Sequence, residues 1–222
     1  MQESNLPAPA DSMVGKLLVA SSLVDDPVLH RAVCLVVHQD PENVFAVLLN
    51  RPMAPHPELK KLLDDPKPNG GRLTDSDDAP KNSNLPIPSK PSPPAIGPSE
   101  AIGAIHFGGP LSGPVVAVHD NHELAEAVAG KGVYVAAQRD ALENIIREKS
   151  GSYRLIVGHL GWSHKQLADE RKSGFWHVLD ATDDDVFTSD QEIWSSVIRR
   201  ATSRSVATWL GIADTPFSSE IN

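Results

Sequence analysis

Three sets of residues in this chain have types and spacings that could do chemistry. The first is histidine, with nine copies in 222 residues. His30 and His38 flank an apolar run, and His119 and His122 lie three apart. No pair forms His-x-x-x-His on an expected helix, and the single cysteine, Cys34, cannot complete a zinc set, so neither a metal nor another cofactor is expected. The second set is nucleophilic. Ser163 follows Gly161-Trp162, but Lys165 stands where a nucleophile elbow needs glycine, so Ser163 reads as a helix cap. Cys34 sits within Ala32–Val37 and reads as a small buried apolar residue, although a Cys–His dyad can be drawn on paper. No glycine-rich phosphate loop of either standard spacing occurs.

The third set is polar and is placed where strands end and helices begin: His30, Arg31, Asn50, Arg51, Gln166 and Glu170, together with Gly108, Gly109 and Trp162. Pockets form at such places. Arg31 or Arg51 could grip a carboxylate with two parallel hydrogen bonds, and that carboxylate could be a ligand's or Glu170. The competing and preferred reading is architectural: an internal Arg–Glu pair, with Asn50 capping a turn.

The elements that must hold these residues follow from periodicity. Gly15–Ala20, Ala32–Val37 and Val44–Leu49 read as three strands. The second is so uniformly apolar that both its faces should be buried, and Gln39–Asn43 should link the second and third as a hairpin. Ile102–Phe107, Val115–His119 and Val133–Ala137 read as further strands, with a short helix from Asn121 to about Ala129 and a longer one from Arg139 to Lys149. Tyr153–Val157 reads as a buried strand that Gly158 and Gly161 end in a sharp turn. Ser163 and Gln166 then open a helix as a capping box, and Gly174 closes it. This corner is either a packing joint with Trp162 plugging the core, the preferred reading, or a ligand-binding corner. Phe175–Leu179 is a last strand, Asp183–Asp185 an acidic turn, and Ser189 with Glu192 caps a C-terminal helix striped by Ile193, Trp194, Val197, Ile198 and Ala201.

Strands and helices mix without strict alternation. That predicts an α+β fold in a single domain over residues 13–211, with a mixed, mostly antiparallel sheet. Residues 1–12 read as a disordered leader and 212–222 as a tail. Residues 64–100 hold nine of the chain's 19 prolines and read as an inserted loop, preceded by a short helix over Glu58–Leu63. A net charge of −9 argues against a sequence-independent grip on DNA or RNA. The lone cysteine fits a reducing, cytoplasmic setting, and no apolar run approaches the length of a membrane helix.

Several of these motifs fall into one order: Gly15–Ala20, Asp26-Pro27, His30-Arg31, His38, Asn50-Arg51-Pro52, Gly108-Gly109-Pro110, Arg139–Leu142, Gly161-Trp162, Gln166-Leu167, Glu170 and Trp176. In that order and spacing the chain resembles the YqgE/AlgH family of bacterial proteins, from about Gly15 to Gly211. It departs from the family pattern at Asn43–Ala46, where two glycines are missing, at Val37 and at His159-Leu160. The resemblance implies an α+β domain whose sheet curls into a partial barrel with flanking helices. It implies little biochemistry, since the family has no established enzymatic activity; the family is linked to alginate regulation and its members are often labelled transcriptional regulators. The expected function is therefore a non-enzymatic binding or regulatory protein that acts on a protein partner or small molecule and on transcription only indirectly. The alternative is a hydrolase or metal-dependent enzyme using the His/Asn/Arg/Glu pocket, and a third possibility is a DNA-binding regulator.

Overall fold

Strand β2 (Val33–Gln39) shows how the sheet is covered. Its first four residues are all buried, and they alternate between two cores. Val33 and Leu35 point into one with Leu17, Val19 and Val47; Cys34 and Val36 point into the other with Leu18, Ala20, Ala46 and Leu48. β-Branched and apolar side chains on both faces of a strand need cover on both sides. The expectation of a strand buried on both faces is met.

The computed structural model describes residues 12–54, 105–148 and 151–209. The Glu58–Leu63 helix, the proline-rich insert and the C-terminal tail expected from sequence lie outside these residues, as does the leader apart from Ser12. The other strands are β1 (Lys16–Ala20), β3 (Asn43–Leu48), β4 (Pro52–Met53), β5 (Ile105–Phe107), β6 (Leu111–His119), β7 (Ala127–Gly130), β8 (Val133–Ala136), β9 (Tyr153–Ser163) and β10 (Trp176–Asp180). The helices are α1 (Arg139–Glu148), α2 (His164–Lys172), α3 (Asp183–Val186) and α4 (Ile193–Trp209). The main sheet runs β10-β1-β2-β3-β9-β6-β8-β7, with the short β4-β5 pair set off this path. Every pairing is antiparallel except β5 with β9.

The sheet curls until its ends meet. The Lys131 amide, just past β7, donates to Ala181 O beyond β10 at 3.0 Å, and a Cβ on Gly130 would lie 2.8 Å from that same oxygen. Inside the curl sits the largest core, fed by strands from both ends of the sheet and closed by Ile193, Val197 and Ala201 of α4. Outside it, Leu167 of α2 with Trp162 and Trp176 covers one flank, and Ile145 and Ile146 of α1 cover the other. The fold is α+β, a partial barrel with flanking helices, as expected.

Two local expectations are corrected. Gly158 and Gly161 do not end the strand: β9 runs eleven residues, pairing first with β5 and β6 and then with β3. Gly158, at φ +79°, bends it, because a Cβ there would lie 2.3 Å from Gly109 O and one on Gly108 only 2.2 Å from Gly158 O. The glycines let two backbones touch. The helix expected from Asn121 to Ala129 is also absent. Asn121 caps only a single 3-10 turn, His122–Leu124, and Ala127–Gly130 pairs with β8 instead. An edge position beside a strand outweighs even the high helix propensity of its alanines. The Asp183–Asp185 turn is one turn of helix, capped by the Thr182 hydroxyl.

Candidate functional site

The loop before β2 is tied down from three sides. Asp26 Oδ1 accepts from the Val28 and Leu29 amides at 2.8 and 2.9 Å, the local bond that makes aspartate a turn residue. Arg51, just past β3, reaches across and donates to three carbonyls: Nε and Nη2 to Val28 O at 3.0 and 2.8 Å, Nη2 to His30 O at 2.6 Å, and Nη1 to Asn50 O at 2.9 Å. The buried Asn50 side chain donates to Arg31 O at 2.8 Å and accepts from the Val33 amide at 3.1 Å. These last two bonds bracket Arg31, the single non-glycine residue with positive φ (+54°) among the described residues. A side chain in that region costs of the order of 1–2 kcal/mol and persists only where its surroundings enforce it. Asn50 enforces it here.

The clamped backbone presents the Arg31 guanidinium 5.2 Å above the centroid of the Trp194 ring on α4. Beside this stack opens a cleft of about 490 Å³ lined by His30, Arg31, Asn50, Arg51, Asp190 and Trp194 together with Pro27, Gln191 and Ser195. Four of the nine sequence-derived candidates meet here. His30 Nδ1 donates to Val24 O at 3.3 Å, since a carbonyl can only accept. The Arg31 guanidinium has neither a hydrogen bond nor an ion pair among the described residues; it is Arg31 O that is bonded, to Asn50.

Asp190 does not neutralise these arginines, because it is held from behind. Arg154, a fully buried guanidinium on β9, donates Nη1 to Asp190 Oδ1 and to Leu49 O, Nε to Val186 O at 2.9 Å, and Nη2 to Thr188 O. His106 Nε2, on β5, lies 3.0 and 3.1 Å from the two Asp190 oxygens and 2.8 Å from Arg154 Nη1. One ring nitrogen cannot both donate to the carboxylate and accept from the guanidinium, and its closeness to both oxygens favours the N–H on Nε2. Burial works to raise the Asp190 pKa, but the His106 hydrogen bond and the Arg154 charge outweigh it and hold the carboxyl below its ordinary value. The carboxylate stays ionised and a weak base. Sequence reasoning missed this triad. The signal was a single arginine inside the apolar run Tyr153–Val157.

The other candidates lie elsewhere. Trp162 and Trp176 both donate their indole N–H to Glu170 Oε2, at 3.0 and 2.7 Å, and Gln166 Nε2 donates to Glu170 Oε1 at 2.8 Å. The two indoles meet edge to face at 5.8 Å and are buried. The expected pairing of Glu170 with Arg31 or Arg51 is therefore absent. Ser163 does cap α2, accepting from the Gln166 amide at 3.1 Å, while the Gln166 amide side chain turns to Glu170. Gly108 and Gly109 are backbone contacts against β9. A second cleft of about 490 Å³ lies beside Arg171, Lys172, Trp176 and His177, where the two basic residues also complement the C-terminal end of α2.

The chemistry available for covalent catalysis is thin. Burial pushes the Cys34 thiol well above its ordinary pKa, so it stays protonated. The Ser195 hydroxyl at the cleft donates to the Glu192 carbonyl, and the Ser189 hydroxyl, next in sequence to Asp190, donates to the Glu192 side chain. Each has one proton to donate, and neither is directed to a histidine. No group of three His, Cys, Asp or Glu residues among those described could hold a metal ion. No helix among them is long and apolar enough to cross a membrane.

Comparison with known proteins bears on the family and the fold. The sequence profile described as AlgH-like matches residues 17–205. A UPF0301 protein of Chlorobaculum tepidum is 28% identical over 195 residues, covering 83% of this chain and 84% of that protein. One from Thermobifida fusca is 29% identical over 203 residues, covering 85% and 87%. Among solved structures, a Corynebacterium diphtheriae protein superposes with a TM-score of 0.58 at 21% identity, over 90% of each chain. The AlgH protein of Pseudomonas aeruginosa does so with a TM-score of 0.53 at 16% identity, over 98% of each. These likenesses carry the fold.

Proposed function

The chain belongs to the AlgH-like family, and from that premise we propose that it is a non-enzymatic, cytoplasmic binding or regulatory protein whose recognition site is the Arg31 cleft. The observation that carries the reading is Arg31 itself. Its backbone is forced into the left-handed region by Asn50, and its guanidinium rests on Trp194 with no carboxylate partner among the described residues. A strained backbone that displays an unpaired charge at a concave surface fits recognition better than stability, because stability alone would favour glycine at that φ and a partner for that charge. The Trp162–Glu170 corner fits the packing-joint role, since its polar atoms already have partners. Any effect on transcription would be indirect, through a protein partner or small molecule, because a chain of net charge −9 is poorly suited to grip phosphates.

A thermal-shift screen of chemically diverse small molecules against the wild type and Arg31→Ala tests this reading. Compounds that raise the wild-type midpoint and leave the variant unmoved would support recognition at the cleft. Compounds that stabilise both proteins equally would move the site elsewhere. Stoichiometric zinc, iron or manganese in the purified protein would instead favour the metal-dependent enzyme.

A further inference from the structure

We propose that the cleft takes a ligand carrying a single carboxylate beside an apolar group, and that Arg31 grips the carboxylate. This inference rests on the reading of the cleft as the recognition site.

Counting hydrogen-bond donors and charges leads to it. Arg51 already uses four of its five N–H groups on backbone carbonyls, so it contributes charge but little further bonding. Arg31 uses none among the described residues, and its planar fork matches a planar carboxylate with two parallel bonds. The one carboxylate among the described wall residues, Asp190, is held by Arg154 and His106, so the described residues supply no counter-ion to either arginine at the cleft. The described wall therefore carries two guanidinium charges beside an anion that is already neutralised. A chain of net charge −9 repels multiply charged anions over a distance, so a monoanion approaches at least cost. A phosphate dianion would also call for more than the one set of free donors. Pro27 and the part of Trp194 not covered by Arg31 supply apolar wall next to the charge. A cleft of about 490 Å³ suits a small amphipathic acid or the carboxyl end of a peptide, two sources of one chemistry.

Isothermal titration calorimetry on the full chain tests it with five probes: phenylacetate, its neutral analogue phenylacetamide, inorganic phosphate, and a short peptide ending in phenylalanine as the free acid and as the amide. Phenylacetate and the free-acid peptide are expected to bind, and each uncharged counterpart to bind at least about tenfold more weakly. Arg31→Lys should weaken the acids about tenfold, since an ammonium cannot form the paired bonds, and Arg31→Gly should abolish binding. A free-acid peptide binding much more tightly than phenylacetate would assign the natural carboxylate to a chain end, and equal affinity would assign it to a small acid. Phosphate binding as tightly as phenylacetate and lost in Arg31→Gly would overturn the carboxylate assignment while leaving the cleft as the recognition site. Carboxylate binding that survives Arg31→Gly would overturn both. Amide spectra matching the wild type away from the loop would show that the variants are folded, and silence from all five probes would overturn the inference.

Discussion

The tryptophan corner and the Arg31 cleft are built from the same kinds of residue and differ in one respect. At the corner, one carboxylate, Glu170, takes both indole N–H groups and the Gln166 amide, and the backbone around it is relaxed. At the cleft, Asn50 and Arg51 are just as fully bonded, but what they fix is the strained backbone of a third residue whose own side chain has, among the described residues, an aromatic face in place of a polar partner. A completed polar network rigidifies a fold and offers little to a ligand. A network that holds one charged side chain open does the opposite, and it supplies the preorganisation that tight recognition needs.

The sharpest way to break this contrast is to truncate at the corner. Trp162→Ala should cost about 3–5 kcal/mol by urea denaturation, as large-to-small changes in buried aromatics do, with recognition by the surviving folded fraction unchanged. A small loss of stability, or a loss of binding at a concentration where the variant is folded, would show that the corner is more than a joint.

Next in size is the strain at Arg31. Arg31→Gly and Arg31→Ala both lose the stack on Trp194, so the difference between them isolates the backbone. Glycine should be the more stable by about 1 kcal/mol, the reverse of the usual order. Equal stabilities would mean that the loop relaxes and that φ +54° is not enforced.

Gln166→Ala should change stability by only about 0.2–0.5 kcal/mol, the size of an exposed i,i+4 pair, because the capping bond runs from its backbone amide to Ser163 and survives. A much larger loss would place Gln166 inside the core of the corner.

The smallest effect at neutral pH concerns His119, which belongs to neither region. Its ring is buried beside Tyr134, and neither nitrogen has a well-formed hydrogen bond among the described residues. Burial pulls its pKa below the ordinary 6.5, against smaller opposing contributions from Asp120, the Asn121 backbone and Glu126. The neutral ring is thus favoured by folding, so the unfolded chain binds the proton more readily. Stability should be level above about pH 6.5 and should fall as pH drops below it, flattening once the folded-state value is passed. In His119→Leu that limb of a urea-midpoint-against-pH curve should vanish, leaving only the loss at lower pH where carboxylates such as Asp190 take up protons.

Much of this architecture was legible in the residues. Val33–Val36 announced a strand buried on both sides, and Ile193, Val197 and Ala201 announced the face α4 lays over the core. The cleft was half legible: His30, Arg31, Asn50 and Arg51 were singled out because they stand at strand ends. Which of them clamps and which is displayed was not, since that turns on the φ of Arg31 and on bonds between residues about twenty apart. Gly158 misled because a glycine that ends a strand and one that bends it against another backbone look alike. Arg154 and His106 were passed over inside apolar runs, and their shared partner, Asp190, lies 36 and 84 residues away. A charge alone in an apolar strand signals a distant partner without naming it.

The most direct test of the contrast uses the tryptophans as reporters. Trp194 Nε1 donates to Ala20 O at 2.8 Å, and those of Trp162 and Trp176 donate to Glu170, so each gives an indole N–H resonance tied to a known place. With a compound that stabilises the wild type, titration should move the Trp194 resonance and leave those of Trp162 and Trp176 where they are. Movement of Trp162 and Trp176 with Trp194 fixed would contradict the account and place recognition at the corner.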